Sequence, residues 1–244
     1  MAFAAATQAG LAGRFCAFEH EGLPALLTTS SGVSFLNSVS GLAEESLSAL
    51  PGLMAVFSAA HAPVPSLTVA QPTMALAEEL RRLGFGAAQR RPVGIIDPLR
   101  VHATSAQAHS LRLTEARTQD EERLFLDILT AGYGAHGELS RFLRAEHSAA
   151  GMRRFVAWQG DRPVAAAAFS IHHHVAVLGG AATIPAARRL GAQAALLHHR
   201  LNAAAAAGAR TATATAALES ASARNLARAG FTMRLRHGWE QHRR

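Results

Sequence analysis

The stretch "TIPAARRLGAQAALLHHRLNAAAAAG", Thr183 to Gly208, decides how this chain is read. It opens with a proline, two arginines and a glycine. It then continues as an alanine-rich helix with Leu190, Leu197 and Leu201 at helical spacing. The first turn of a helix has N–H groups without intrahelical acceptors, and the macrodipole adds partial positive charge there. Gly191 lets a ligand approach the backbone with no Cβ in the way. Arg188 and Arg189 add two full charges, and Thr183 can orient the loop or donate a hydroxyl. A strand running into such a helix start is an anion trap, and its natural guest is a pyrophosphate. The plain alternative is an ordinary helix start with surface arginines. The pattern is neither a P-loop, which needs Gly-Lys-Ser/Thr, nor a G-x-G-x-x-G fingerprint.

Outward from this stretch, the second half of the chain reads as alternating elements. "SLRLTEA" predicts a strand. "TQDEERLFLDILTAGYG" predicts a helix with Thr118 as N-cap, Glu121 completing a capping box, and Leu124, Phe125 and Ile128 inward. "ELSRFLRAEHSAAGM" predicts a second helix with Leu139, Phe142 and Leu143 inward. "RRFVAWQGDRPVAAAAFSIHHHVAVLGGAAT" predicts three strands, with turns at Gly160-Asp161 and near the histidines. After the quoted helix, "TATATA" alternates with the period of a strand, and a last helix and strand follow. The resulting order, β-α-α-β-β-β-α-β-α-β, is a mixed α/β fold (α+β, one mixed sheet).

The first half echoes the second. "MALAEELRRLGFGAAQRRPVGI" and "SARNLARAGFTMRLRHGWE" are each an amphipathic helix that ends in Gly-Phe and runs into an Arg-rich strand. Glycine at a helix C-terminus stops the helix in the left-handed region, and the next Phe (Phe85, Phe231) packs back under it. Each helix also follows a strand pattern, "PSLTV" and "ARTATATAA". Two related halves are expected, residues 1–105 and 106–244, joined where Pro98 and the polar stretch 103–110 break the apolar pattern.

The chain has 244 residues, of which 49% are hydrophobic and 17% charged, enough apolar residues for a packed core. All 24 basic residues are arginine, and the net charge is +7. A guanidinium grips phosphate bidentately, yet the arginines are scattered, so a nucleic-acid tail is not indicated. Cys16 is the only cysteine, which excludes an intrachain disulfide and a Cys-based metal site. No apolar run reaches membrane-spanning length. The N-terminus lacks an early basic residue and is interrupted by Thr7 and Gln8, so a soluble, cytoplasmic protein without a signal peptide is expected.

Arg188-x-x-Gly191-x-Gln193, after a strand and before a long helix, with "SASARNLARAGF" following, resembles the GNAT superfamily of acyl-CoA N-acetyltransferases. The resemblance covers about residues 110–244, and the first half resembles a degenerate copy, as in tandem members. It implies an acetyl-CoA-dependent N-acetyltransferase that acts on a small-molecule amine by direct transfer, without a covalent enzyme intermediate. Carried over by residue, it implies that Arg188, Arg189, Leu190, Gly191, Ala192 and Gln193 hold the pyrophosphate of coenzyme A. Ala181, Ala182 and Thr183 would pair with the pantetheine arm, and Ser222 and Asn225 would lie along it. Gln193 stands where the pattern has Gly or Ala, and its side chain must point away from the phosphates. The first half lacks an Arg-x-x-Gly-x-Gly/Ala equivalent and is expected not to bind the cofactor.

Many relatives carry a tyrosine general acid where this chain has Leu226. The only tyrosine is Tyr133. Tyr133 and His136, amid Gly132, Gly134 and Gly137 read as a mobile lid, are the candidate acceptor-pocket residues. Glu219 is another candidate base, its bland alternative being a helix-start carboxylate. His172, His173 and His174 are candidates too, although neighbouring strand residues face opposite ways and do not converge on a metal. No metal, membrane or nucleic-acid partner is expected, and a homodimer stays open. The competing reading is a non-catalytic CoA-binding or sensing module.

Overall fold

The computed structural model describes residues 2–69, 71–88, 90–100 and 111–241. The chain divides into two compact units. One holds residues 1–92 and 235–244, the other residues 93–234. The expected join near residue 105 lies outside the described residues. The observed division differs from two consecutive halves because the last strand, Thr232–Gln241, leaves one unit and finishes in the other. That pairing joins residues far apart in sequence, which local composition does not reveal.

The first unit opens with helix α1 (Ala2–Gln8) and strands β1 (Phe15–His20), β2 (Leu23–Thr28) and β3 (Ser38–Ser40). Helix α2 (Leu50–Ala59) connects β3 to β4 (Ser66–Val69), and α3 (Met74–Arg82) connects β4 to β5 (Phe85–Ala87). β1, β2 and β3 are antiparallel neighbours, and β3 and β4 run parallel. The C-terminal part of the last strand, β12, pairs antiparallel with β4 and β5 and buries Trp239 beside Leu67, Val69 and Phe85. The crossover after β3 carries Glu44 and Glu45 in a 3-10 turn, and Glu44 accepts a hydrogen bond from Thr73 Oγ1 at 2.7 Å. This loop therefore presents carboxylates where an anion cradle would present donors.

In the second unit β6 (Arg91–Ile96, its last four residues belonging here) precedes β7 (Leu111–Glu115). Helices α4 (Gln119–Tyr133) and α5 (Gly137–His147) follow, then strands β8 (Arg153–Gln159), β9 (Arg162–His172) and β10 (Val175–Thr183). Helix α6 (Ala192–Ala206), β11 (Thr211–Thr215) and α7 (Ala221–Arg228) lead to β12. The sheet order is β7-β8-β9-β10-β11-β6, antiparallel except for the parallel pair β10–β11. The expected order of elements from residue 111 onward is thus observed. Thr118 and Glu121 form the expected capping box of α4. Leu226 and Phe231 are buried with Leu196, Leu197 and Leu201 of α6 on one sheet face, and Phe125, Leu126 and Leu129 of α4 cover the other.

Two local expectations change. The helical spacing predicts Leu190 on the stripe with Leu197 and Leu201. Leu190 lies before α6 and is 42% exposed, because residues 185–187 form a separate 3-10 turn and Gly191 is the N-cap. Gly132, read as part of a mobile lid, lies inside α4, where an added Cβ would stand 2.7 Å from the Ala182 Cβ. It permits close packing of the helix end on β10.

Candidate functional site

The parallel pairing of β10 with β11 runs from Val175 to Leu178 and stops. β10 continues to Thr183 with β9 on its other side only, and its register slips between Gly179 and Ala182. Glycines inside a strand mark such a bulge. The two parallel strands therefore part beyond Leu178, and residues 179–183 have no strand partner on the β11 side, although Gly179 O accepts from Arg200 and the Ala181 backbone bonds the Tyr133 phenol. An extended ligand arm can add to that edge as a strand would.

β10 then turns into α6. Gly191 takes φ +79, and Arg189 before it takes φ +70, so the chain doubles back and aims successive N–H groups outward. Among the described residues, no acceptor meets the N–H groups of residues 189–194; Arg188 N–H is engaged by Pro185 O. Nothing stands within 4 Å of an ideal Cβ at Gly191, so the space above the turn is open. Gln193 answers its own question: its Nε2 donates to Thr183 Oγ1 at 3.0 Å. The side chain folds back along the strand end and leaves the amides clear.

A cavity of about 1310 Å³ covers this turn. Small-molecule sites usually enclose about 300–1,000 Å³, so this one suits an elongated, nucleotide-sized ligand. Its lining includes Arg188, Arg189, Arg224, Arg228 and His198, and no carboxylate. Arg188 and Arg189 are exposed and have no partner among the described residues. Arg224 donates to Glu219 O at 2.6 Å, and Arg228 donates to Asn225 Oδ1 at 2.6 Å. Four guanidiniums and six open amides with no acid among them form a site for a polyanion.

Of the expected cofactor residues, Ala181, Ala182, Thr183, Arg188 through Gln193 and Asn225 line the cavity. Ser222 does not: it is exposed on α7, and Ser220 is that helix's N-cap, its Oγ accepting from Ala223 N–H at 3.1 Å. Tyr133 lines the cavity. His136 does not; it is the exposed N-cap residue of α5, with no side-chain capping bond. Glu219 also lies outside the lining, exposed at φ +57 before α7. The histidine run forms the β9–β10 turn, where Ser170 Oγ and His172 Nε2 stand 3.1 Å apart. Leu226, at the usual tyrosine position, is buried in the core. Among the described residues no three His, Cys, Asp or Glu side chains gather as a metal site, and no helix is long and apolar enough to cross a membrane.

The structure adds a titratable group that the sequence did not reveal. His147, at the end of α5, is 3% exposed. Its Nδ1 bonds Leu143 O at 2.9 Å; a carbonyl only accepts, so Nδ1 carries the proton and Nε2 has a lone pair. An ideal Cβ at Gly180 would stand 2.0 Å from that Nε2, so the ring touches the bulge itself. Burial lowers the His147 pKa and holds the ring neutral. Neighbouring Glu146 is pushed up to about 7 by burial. Tyr133 leaves half its surface open (50%) because it faces the cavity, yet desolvation raises its phenol, opposed by a hydrogen bond from the Ala181 backbone.

Arg200 of α6 lies under the same bulge at 4% exposure. Its Nη1 donates to Ala168 O at 2.9 Å and Gly179 O at 3.2 Å, and its Nε donates to Leu196 O at 3.3 Å.

Residues 114–231 match the sequence profile described as the acetyltransferase (GNAT) family. No curated protein matches the chain. Among solved structures, the chain is similar to a GCN5-related N-acetyltransferase from Kribbella flavida, at 19% identity and TM-score 0.69, over 94% of this chain and 90% of that one. It is similar to a GCN5-related N-acetyltransferase from Sphaerobacter thermophilus, at 14% identity and TM-score 0.65, over 89% and 75%. A functionally unknown protein from Staphylococcus epidermidis aligns at 11% identity and TM-score 0.64, over 96% of both chains.

Proposed function

We propose that the chain, whose residues 114–231 match the acetyltransferase (GNAT) family profile, is a member of that superfamily and transfers an acetyl group from acetyl-CoA to an amine. One observation carries the reading: the open amides of residues 189–194 share a cavity with four arginines and no carboxylate. The amides and Arg188 and Arg189 would hold the pyrophosphate. The edge of β10 at residues 181–183, which has no strand beside it on the β11 side, would hold the pantetheine arm, directing the thioester into the gap between β10 and β11. Acetyl-CoA would supply the activated acyl group.

The reaction forms a bond from the amine nitrogen to the acyl carbon and breaks the carbon–sulfur bond, whose electron pair leaves on sulfur. Backbone N–H groups at the bulge would receive the charge on the thioester oxygen. Tyr133 keeps its proton at neutral pH and is the group on the cavity wall able to give it to the departing sulfur. Glu146, which burial pushes up to about 7, lies outside the cavity lining, so the proton released by the amine would leave to water in the open cavity. His136 and Glu219 are exposed and outside the cavity lining, so they have no part in this scheme.

The buried Leu226 favours a second reading, a module that binds CoA without turnover. Two measurements separate the readings. Calorimetric titration with acetyl-CoA tests binding, and thiol release across a panel of amines tests transfer. Binding with thiol release supports the transferase; binding with no release on any amine supports the module; no binding removes both. For the first unit, we propose a degenerate member of the same fold that does not bind the cofactor, on the strength of Glu44 and Glu45 in its crossover turn.

A further inference from the structure

Arg200 lies in the middle of the buried face of α6, between Leu196, Leu197, Leu201 and Ala204. Among the described residues no carboxylate pairs with it. A cation without a counter-charge in a protein interior loses its hydration, and a neutral side chain of similar size would fill the space at less cost. Burial accordingly pushes the Arg200 pKa down to about 10. Such a residue is kept where its charge or its fork has work that a neutral chain lacks.

Its place in the sheet identifies that work. The two carbonyls gripped by one guanidinium nitrogen belong to Ala168 on β9 and Gly179 on β10, which are partners in the last regular pair before the register slips. Arg200 thus fixes the start of the bulge from the α6 side, while His147 closes on Gly180 from the α5 side. The bulge lies where β10 has lost β11, and its next residue, Ala181, is part of the cavity wall. The Arg200 guanidinium also opposes the burial-driven rise of the Tyr133 phenol, which stands on this wall.

We propose that Arg200 is a positioning residue for acyl transfer: by pinning the Ala168 and Gly179 carbonyls it aims the bulge amides into the gap, and its buried charge polarises the thioester carbonyl held there. The role rests on the acetyl-CoA reading above. A residue that only supported the fold would change stability or affinity and leave the bound carbonyl as it was.

The test needs no knowledge of the acceptor. Acetyl-CoA labelled with carbon-13 at the thioester carbonyl is bound to the full chain, and its carbonyl stretch is read by infrared difference spectroscopy, with affinity measured by calorimetry. Arg200→Met removes both the charge and the grip; Arg200→Lys keeps the charge on a shorter side chain without the Nε–H bond to Leu196 O that holds the fork over the two carbonyls. In the unmodified chain the stretch is expected below its value in water. Both variants are expected to bind within about threefold of the unmodified chain. The stretch should return toward the free value, further in Met than in Lys. An unchanged stretch in Arg200→Lys overturns the proposal even if the Met variant does not fold. So does a loss of affinity in both variants with the carbonyl unaltered. Failure of the unmodified chain to bind acetyl-CoA sinks the transferase reading and this role with it, whereas intact binding with an unmoved carbonyl sinks this role alone.

Discussion

Replacing Gly191 with glutamate places a negative charge where the account puts a pyrophosphate. The substitution has room, since no atom lies within 4 Å of an ideal Cβ at this position. The fold bears only the backbone cost, because φ is +79 and an L-residue there costs about 1–2 kcal/mol. In a chain of this size that lowers Tm by about 2–8 °C. The cost to binding is larger. Two unit charges at 4 Å in a partly screened site repel by about 4 kcal/mol, and a pyrophosphate carries more than one charge. Even after half of this is lost to solvent and to side-chain motion, about 2–3 kcal/mol remains, a rise in Kd of about 30- to 150-fold. Titration calorimetry with acetyl-CoA reads the affinity, and a thermal melt of the same sample confirms that the chain is folded. Gly191→Ala is the control: it carries the same backbone cost without the charge, so most of the affinity loss should be absent. If Gly191→Glu binds within about threefold of the unmodified chain, the phosphates are not held at this turn.

Removing Arg188 and Arg189 together should weaken acetyl-CoA binding by about 10- to 100-fold and flatten its dependence on salt, measured by titration at two ionic strengths. An unchanged salt slope would mean the pair does not face the phosphates. Gly180→Ala should cost about 2–5 kcal/mol in urea unfolding, since φ is +51 and the new Cβ would meet His147 Nε2 at 2.0 Å; a cost under about 1 kcal/mol would show that the ring is not packed on the bulge. Glu146 gives a pH dependence. Its folded pKa, about 7, lies above its unfolded value, so the unfolded chain releases the proton first. Stability is full below about pH 4 and falls as pH rises to about 7, by at most about 3 kcal/mol. Glu146→Gln, which stays neutral, should match the unmodified chain at pH 4 and exceed it by about 1–3 kcal/mol at pH 8; equal stability at both would refute the desolvation.

The element order of residues 111–241 was legible because each element carries its own local signal. Thr118 with Glu121 marks a helix start, Gly160-Asp161 a hairpin, and Gly230-Phe231 a helix end that the core covers. The open turn before α6, proposed to hold the pyrophosphate, was legible for the same reason: Arg188, Arg189 and Gly191 lie within four residues of one another. What escaped depends on packing between distant segments. Arg200 reads as one more surface arginine, although its spacing four from Leu196 and Ala204 put it on the buried stripe. The Gly179-Gly180 pair inside a strand is the local mark of the bulge and went unread, and nothing local points to His147 as the ring that closes on it. Tyr133 and His136 are three residues apart, and only the first faces the cavity, because α4 ends between them at Gly134. The crossing of β12 from one unit to the other follows from its pairing with Leu67–Val69 and Phe85–Ala87, more than 140 residues away in sequence.

The most direct measurement is a crystal structure of the chain with bound acetyl-CoA. The account predicts the pyrophosphate oxygens within hydrogen-bonding distance of the N–H groups of residues 189–194, with the pantetheine arm along residues 181–183. A cofactor bound with its phosphates away from the Gly191 turn would contradict it.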